Sequence, residues 1–285
     1  MDQPILRKVK GDHIQIQIAI WEGNRATSVL CIHGLAANCR SWDTIGSALA
    51  PSHHLIAMDL RGRGTSERPV TGYSIDNHVE DVRNVLNDLG VESINLMGHS
   101  FGTVVSMVFA AKYPTRAKKL ILIDGGGELS EEEIQNIMPI VQLPLQRLEK
   151  VYPSKEEYLK QIKDKGFLKP WPHAIETMYL HDLEPVEGGV TTRTKIACIQ
   201  EDIGNVKKYP LHEIYPRVTQ PVLIMRSIEG VFSDKDIVIP DDVVKKMTQA
   251  LPNARSVDVP GTNHFSIAFM PNPERDRVIS TFLKK

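Results

Sequence analysis

At 285 residues the chain is longer than a typical single domain, yet an α/β domain with an insertion reaches this length as one unit. Hydrophobic residues at 41% are enough for one large core, and 34 basic against 35 acidic side chains leave a formal charge of -1, which excludes non-specific attraction to nucleic acid or anionic membrane. Three cysteines, Cys31, Cys39 and Cys198, are an odd number without metal-like spacing, so core packing in a reducing compartment is expected in place of a disulfide framework.

The N-terminal stretch Met1 to Gly11 mixes Asp2, Arg7, Lys8 and Lys10 with isolated apolar residues, unlike a leader, and no segment approaches a membrane span. A cytoplasmic protein with no membrane insertion is expected. Ile14, Ile16, Ile18 and Ile20 alternate with mostly polar neighbours and predict a half-buried opening strand. Short apolar runs suited to buried parallel strands follow at Ser28 to Ile32, Leu55 to Met58, Ile94 to Met97, Leu120 to Ile123, Val222 to Met225 and Ser256 to Val259. Between them lie helical periods, the clearest through Ile75, Val79, Val82, Leu86 and Leu89 and stopped at Gly90. The alternation predicts a doubly wound, mostly parallel sheet with helices on both faces.

From about Glu128 to Pro216 the strand runs cease while helix starts continue, with capping-box spacing at Ser130/Glu133 and Ser154/Glu157. The acidic run Glu131 to Glu133 then complements a helix dipole and needs no ligand. Residues 1–127 and 217–285 are expected to form the core, and residues 128–216 a helical lid inserted between its sixth and seventh strands.

Gly98-His99-Ser100-Phe101-Gly102 follows one predicted strand and precedes the helical run Val104 to Lys112, the setting of a nucleophile elbow. A serine on so sharp a turn needs close backbone approach on both sides, which side chains at Gly98 and Gly102 would obstruct. The motif alone recurs by chance, but two loops add to it. His33-Gly34-Leu35 follows the strand ending at Ile32 and offers a second backbone donor, so the oxyanion hole is assigned to the N–H groups of Leu35 and Phe101, with the His33 side chain only packing its loop. Pro260 to Phe265 follows the last strand and places His264 at the same sheet edge as Ser100, in the chain order serine, acid, histidine. His53, His54, His173, His181 and His212 read as surface or lid residues without zinc-ligand spacing, and no metal or organic cofactor is expected.

With these residues in place the sequence resembles the α/β-hydrolase superfamily along nearly its whole length. The resemblance rests on His33-Gly34, Asp59-Leu60-Arg61-Gly62-Arg63-Gly64-Thr65-Ser66, Gly98 to Gly102 and Gly261-Thr262-Asn263-His264, in the family's order and at its usual separations. It implies a structural role for the loop after Asp59, so its arginines are not a phosphate site. A serine nucleophile argues against epoxide hydrolase and haloalkane dehalogenase chemistry. The acid departs from the family's pattern, because Gly230 occupies its usual slot after Met225-Arg226-Ser227-Ile228-Glu229. Asp124, at the end of the sixth strand before Gly125-Gly126-Gly127, is placed first, since some members take their acid there. Asp236 comes next, then Asp234, then Glu229.

The expected activity is hydrolysis of an ester or similar small acyl substrate through an acyl-enzyme on Ser100, with His264 as base. Trp171, Met178, Tyr179 and Leu180 from the lid, with Phe265, are candidates for an apolar substrate pocket. The resemblance also admits a ligand receptor whose output is lid movement, a cofactor-free peroxidase or a carbon–carbon bond hydrolase. Oligomeric state is not legible in the chain.

Overall fold

The computed structural model describes residues 3–50 and 52–285; Met1 and Asp2, at the head of the charge-mixed stretch, and Pro51 lie outside the described residues. β1 (Ile5–Lys10) and β2 (Gln15–Trp21) pair antiparallel, from Ile5 opposite Ile20 to Lys10 opposite Gln15. β2 is the expected opening strand. β1 escapes the sequence pattern because only its Val9 is buried; it is an edge strand whose charged positions discourage further pairing.

The apolar runs become β3 (Val29–Ile32), β4 (Leu55–Met58), β5 (Ile94–His99) and β6 (Ala117–Ile123), with helices α1 (Asp43–Leu49), α2 (Ile75–Asp88) and α3 (Phe101–Lys112) between them. Residues 128–216 then hold α4 (Glu131–Gln142), α5 (Lys155–Lys163), α6 (His173–His181), a hairpin of β7 (Leu183–Val186) and β8 (Gly189–Thr192), α7 (Ile196–Val206) and α8 (Leu211–Ile214). The chain returns through β9 (Val222–Ser227), α9 (Asp241–Ala250), β10 (Ala254–Val259), α10 (Ser266–Phe269) and α11 (Pro273–Lys284). Among the described residues no helix is long and apolar enough to cross a membrane.

The main sheet runs β1-β2-β4-β3-β5-β6-β9-β10, and every pairing from β4 to β10 is parallel. Alternation along the strands divides the core into two layers. Leu30, Leu96, Leu122 and Ile224 face α2, α3 and α9, which contribute Val79, Val105 and Met247. Val29, Met97, Ile121 and Leu223 face α1 and α11, which contribute Ile45, Ile279 and Phe282. Strands covered on both faces must be apolar throughout, which is why they read as unbroken runs.

The inserted segment differs from the expected all-helical stretch by its β7–β8 hairpin. Leu183 to Thr192 carries no apolar run, but Gly188 and Gly189 adopt φ of 85° and 144° and let the chain reverse between two short, partly exposed strands. The Ser130 start does form a reciprocal capping box with Glu133. Buried polar contacts tie the segment to the sheet domain. Asp202 of α7 is ion-paired with Arg63 and accepts from His78 Nε2 at 2.8 Å, all three fully buried. His181 Nε2 meets Asp59 at 2.9 Å, and Asn38 donates to the Met178 carbonyl at 2.8 Å.

Candidate active site

Ser100 stands between the last residue of β5 and the first of α3, with φ 54° and ψ -120°. That left-handed conformation costs about 1–3 kcal/mol and persists only where the surroundings impose it. They do so by crowding. A Cβ on Gly98 would lie 2.3 Å from the Gly102 carbonyl oxygen, and one on Gly102 would lie 2.0 Å from that of Ile32. Gly125 carries the same constraint, 2.5 Å from the Ser100 carbonyl oxygen, so the glycines after Asp124 serve close approach and not merely flexibility. A Cβ on Gly34 would lie 3.3 Å from the Ser100 Cβ, which brings the loop after β3 against the serine.

His264 lies on the loop after β10, and its Nδ1 is 2.8 Å from Asp124 Oδ2. An ionised carboxylate only accepts, so Nδ1 carries the proton and Nε2 is the basic nitrogen. The second Asp124 oxygen accepts the Ser227 backbone N–H at 2.8 Å. The other candidate acids are engaged or exposed. Asp236 is buried and accepts from the N–H groups of Val231, Phe232 and Ser233, closing its own loop, while Asp234 and Glu229 are exposed.

Two further histidines brace this site. His99 Nε2 donates to the His264 carbonyl at 3.0 Å, and the two rings pack at 4.8 Å. Burial, with the neighbouring His264, pushes the His99 pKa down to about 3, so it is a neutral donor. His33 Nδ1 donates to the Gly34 carbonyl at 2.7 Å and Nε2 accepts from the Leu60 N–H at 3.0 Å. Burial lowers its pKa to about 4, in keeping with a loop-packing role.

The reading of His53 and His54 as surface residues is overturned, since both are buried. His53 bonds Thr27 and Ser280 at 2.8 Å each, joining two chain segments that sequence distance conceals. His181 is largely buried as well, in a cluster with Cys39 and Asp59 whose donor atoms lie within 4.8 Å of one another. Asp59 already accepts the N–H groups of Cys39 and Thr65 besides His181, and burial raises the Cys39 thiol pKa. The cluster is held together by these hydrogen bonds and ties α6 to the loop after β4. Arg61 pairs with Asp81 and Arg63 with Asp202, so both arginines of the loop after Asp59 are structural.

Ser100, His264, Leu35 and Phe101 line one cavity of about 280 Å³. Its walls are otherwise mainly apolar, including Val104, Ile140, Met178, Val238, Phe265 and Phe269. Of the residues expected in a pocket, Met178, Tyr179 and Phe265 line it, but Trp171 and Leu180 do not. The Trp171 ring stacks on Tyr179 at 5.9 Å, and its Nε1 donates to Glu176. Arg147 also lines the cavity, a position no sequence motif marks. Its guanidinium binds Asp182 at 2.7 Å and the Ala36 carbonyl at 2.8 Å, and its Cζ lies 5.4 Å from the centre of the Tyr179 ring. Burial works against that charge, but Tyr158 and Asp182 outweigh it and raise the pKa, so the arginine stays ionised.

Sheet order, elbow and cavity define an α/β hydrolase, and residues 27–271 match the alpha/beta hydrolase fold family, to which the chain belongs. It is 26% identical over 265 residues to 2-(acetamidomethylene)succinate hydrolase of Mesorhizobium japonicum, covering 93% of this chain and 90% of that protein. It is 25% identical over 249 residues to 3-hydroxybutyrate-oligomer hydrolase of Cupriavidus necator, covering 83% and 82%. The crystal structure of E-2-(acetamidomethylene)succinate hydrolase superposes with a TM-score of 0.84 at 23% identity, over 99% of this chain and all of the other, a likeness of fold.

Proposed function

We propose that this protein is a serine hydrolase that cleaves a carboxylic ester or related acyl bond of a small molecule. Ser100 is the nucleophile, His264 the base and Asp124 the acid that orients it. The observation that carries this reading is the 2.8 Å contact of buried Asp124 with Nδ1 of His264, which itself lines the cavity that also holds Ser100 at its strained φ.

The Ser100 Oγ attacks the acyl carbon while His264 Nε2 takes its proton, and the oxyanion is received by the N–H groups of Leu35 and Phe101. The imidazolium returns the proton to the leaving oxygen, which departs as the alcohol. Water then adds to the acyl-enzyme with His264 again as base, releasing the acid and restoring Ser100. Asp124 holds Nδ1 protonated and stabilises the imidazolium without being protonated itself.

Residues 128–216 act as the lid of the core formed by 1–127 and 217–285, and Ile140, Met178 and Tyr179 from it close the apolar cavity that limits acyl size. Both relatives named above act on derivatives of carboxylic acids by their names, which supports an acyl substrate. The three unpaired, buried thiols agree with a cytoplasmic setting. A fluorophosphonate probe tests the assignment: it should label the protein one to one, and labelling should vanish in Ser100→Ala. Persistent labelling of that variant would remove Ser100 from the mechanism.

A further inference from the structure

The apolar cavity around Ser100 abuts a second, smaller cavity of about 70 Å³, the two sharing Pro144, Arg147, Tyr179 and Phe265 as walls. Their chemistry differs. The ionisable side chains of the smaller cavity are Arg147, Lys150 and Lys165 with the phenols Tyr152 and Tyr179, and no carboxylate lines it. Burial raises the pKa of both phenols, so they stay neutral and do not offset the lysine charges, while Arg147 is already paired with Asp182.

Resting on the hydrolase reading above, we infer that the substrate carries a carboxylate at the end remote from its scissile bond, and that Arg147, Lys150 and Lys165 receive it. The two lysines supply the uncompensated charge. Among the described residues neither lies within 4.0 Å of a carboxylate, and Lys165 donates to the neutral Gln146 side chain at 3.0 Å. Lys163, two residues earlier, is by contrast paired with Glu176 at 2.6 Å. What distinguishes this pair is its place: together with Arg147 the two lysines surround one small cavity whose wall holds no carboxylate, and that gathering of like charge leaves a positive field that favours an anion.

Arg147 joins the two cavities. Its Nη atoms are committed to Tyr158, Asp182 and Ala36, whereas its buried Nε has no hydrogen-bond partner among the described residues. A buried donor left unpaired in the free protein is a point at which a ligand oxygen or its bridging water is favoured. The apolar wall around Ser100 then covers the hydrocarbon between the two ends. Charge and apolarity together specify a half-ester of a dicarboxylic acid or an acyl compound of that shape.

The test compares p-nitrophenyl hexanoate and octanoate with the mono-p-nitrophenyl esters of adipate and suberate, which match them in length but end in a carboxylate. Succinate and glutarate half-esters are avoided because their own carboxylates attack the ester through five- and six-membered anhydrides. The wild-type protein should favour one of the carboxylated esters over its neutral counterpart by roughly fivefold or more in kcat/KM, the scale expected of two exposed charge contacts. Salt should erode the preference, and Lys150→Gln/Lys165→Gln should bring the ratio close to one. A wild-type ratio at or below one, or a ratio unmoved in the double variant, overturns the inference while leaving the hydrolase reading standing.

Failure of the wild-type protein to cleave any of the four esters would count against that reading instead, and the carboxylate site would then be decided by calorimetric binding of octanoate against the neutral octanamide. Octanoate should bind more tightly to the wild type and lose that advantage in the double variant. Equal binding of the two by the wild type overturns the inference by this route.

Discussion

Replacing Asp124 by asparagine sets two fixed donors against one remaining acceptor. The carboxylate accepts from His264 Nδ1–H at one oxygen and from the Ser227 backbone N–H at the other, each at 2.8 Å. An amide can present its oxygen to only one of them. Turned toward His264, it drives its NH2 group against the Ser227 N–H, and two buried donors facing each other cost about 1–3 kcal/mol. Turned toward Ser227, it offers a donor to Nδ1, which must then accept, so the proton moves to Nε2 and the imidazole loses the lone pair that the proposed mechanism uses to take the proton from Ser100. The second orientation is favoured because the backbone N–H cannot rotate away. Wrong-tautomer imidazole costs about four orders of magnitude in turnover, or about 5 kcal/mol of transition-state stabilisation. We therefore expect Asp124→Asn to lower kcat with p-nitrophenyl butyrate by about 10³–10⁴, with an unchanged circular dichroism spectrum. Asp236→Asn should retain most activity, because its carboxylate faces only the N–H groups of its own loop. If Asp236→Asn were the more damaged of the two in kcat while both remained folded, the assignment of the acid would be refuted.

Two other predictions concern what holds the site in place. His33 and His99 are buried with pKa values lowered to about 4 and about 3, against about 6.5 in an unfolded chain. The unfolded state binds their protons first, so stability present above pH 6.5 is lost as the pH falls toward those values, by about 2 kcal/mol per histidine at pH 5. Urea midpoints at pH 8 and pH 5 should show this loss, and His99→Gln, which keeps a donor for the His264 carbonyl, should recover roughly half of it. Equal stability at both pH values would contradict the neutral-histidine description. Asp202→Ala strips the anion from fully buried Arg63 and should cost about 3–5 kcal/mol, lowering Tm by about 10 °C in thermal unfolding. A shift under 2 °C would show that the inserted segment does not depend on this pair.

Much of the architecture was local enough to read from the chain. Strands covered on both faces must be apolar at every position, so β3, β4 and β9 announced themselves, whereas β1, buried only at Val9, and the β7–β8 hairpin have no such signature. The turn at Ser100 was legible because steric necessity puts glycine at 98 and 102, and steric necessity leaves a mark in sequence. Which carboxylate meets His264 left a fainter one: the resemblance places Asp124 first, but Asp124 and Asp236 are chemically identical, and nothing along the chain measures the distance of either from His264. The parallel pairing of β6 with β9 decides it geometrically, carrying Asp124 to the Ser227 backbone and the edge where the β10 loop delivers His264. His53 against Ser280 and Arg147 beside the cavity arise the same way. A polar group's partner is chosen by proximity in space, and only the packed sheet and its insertion create that proximity.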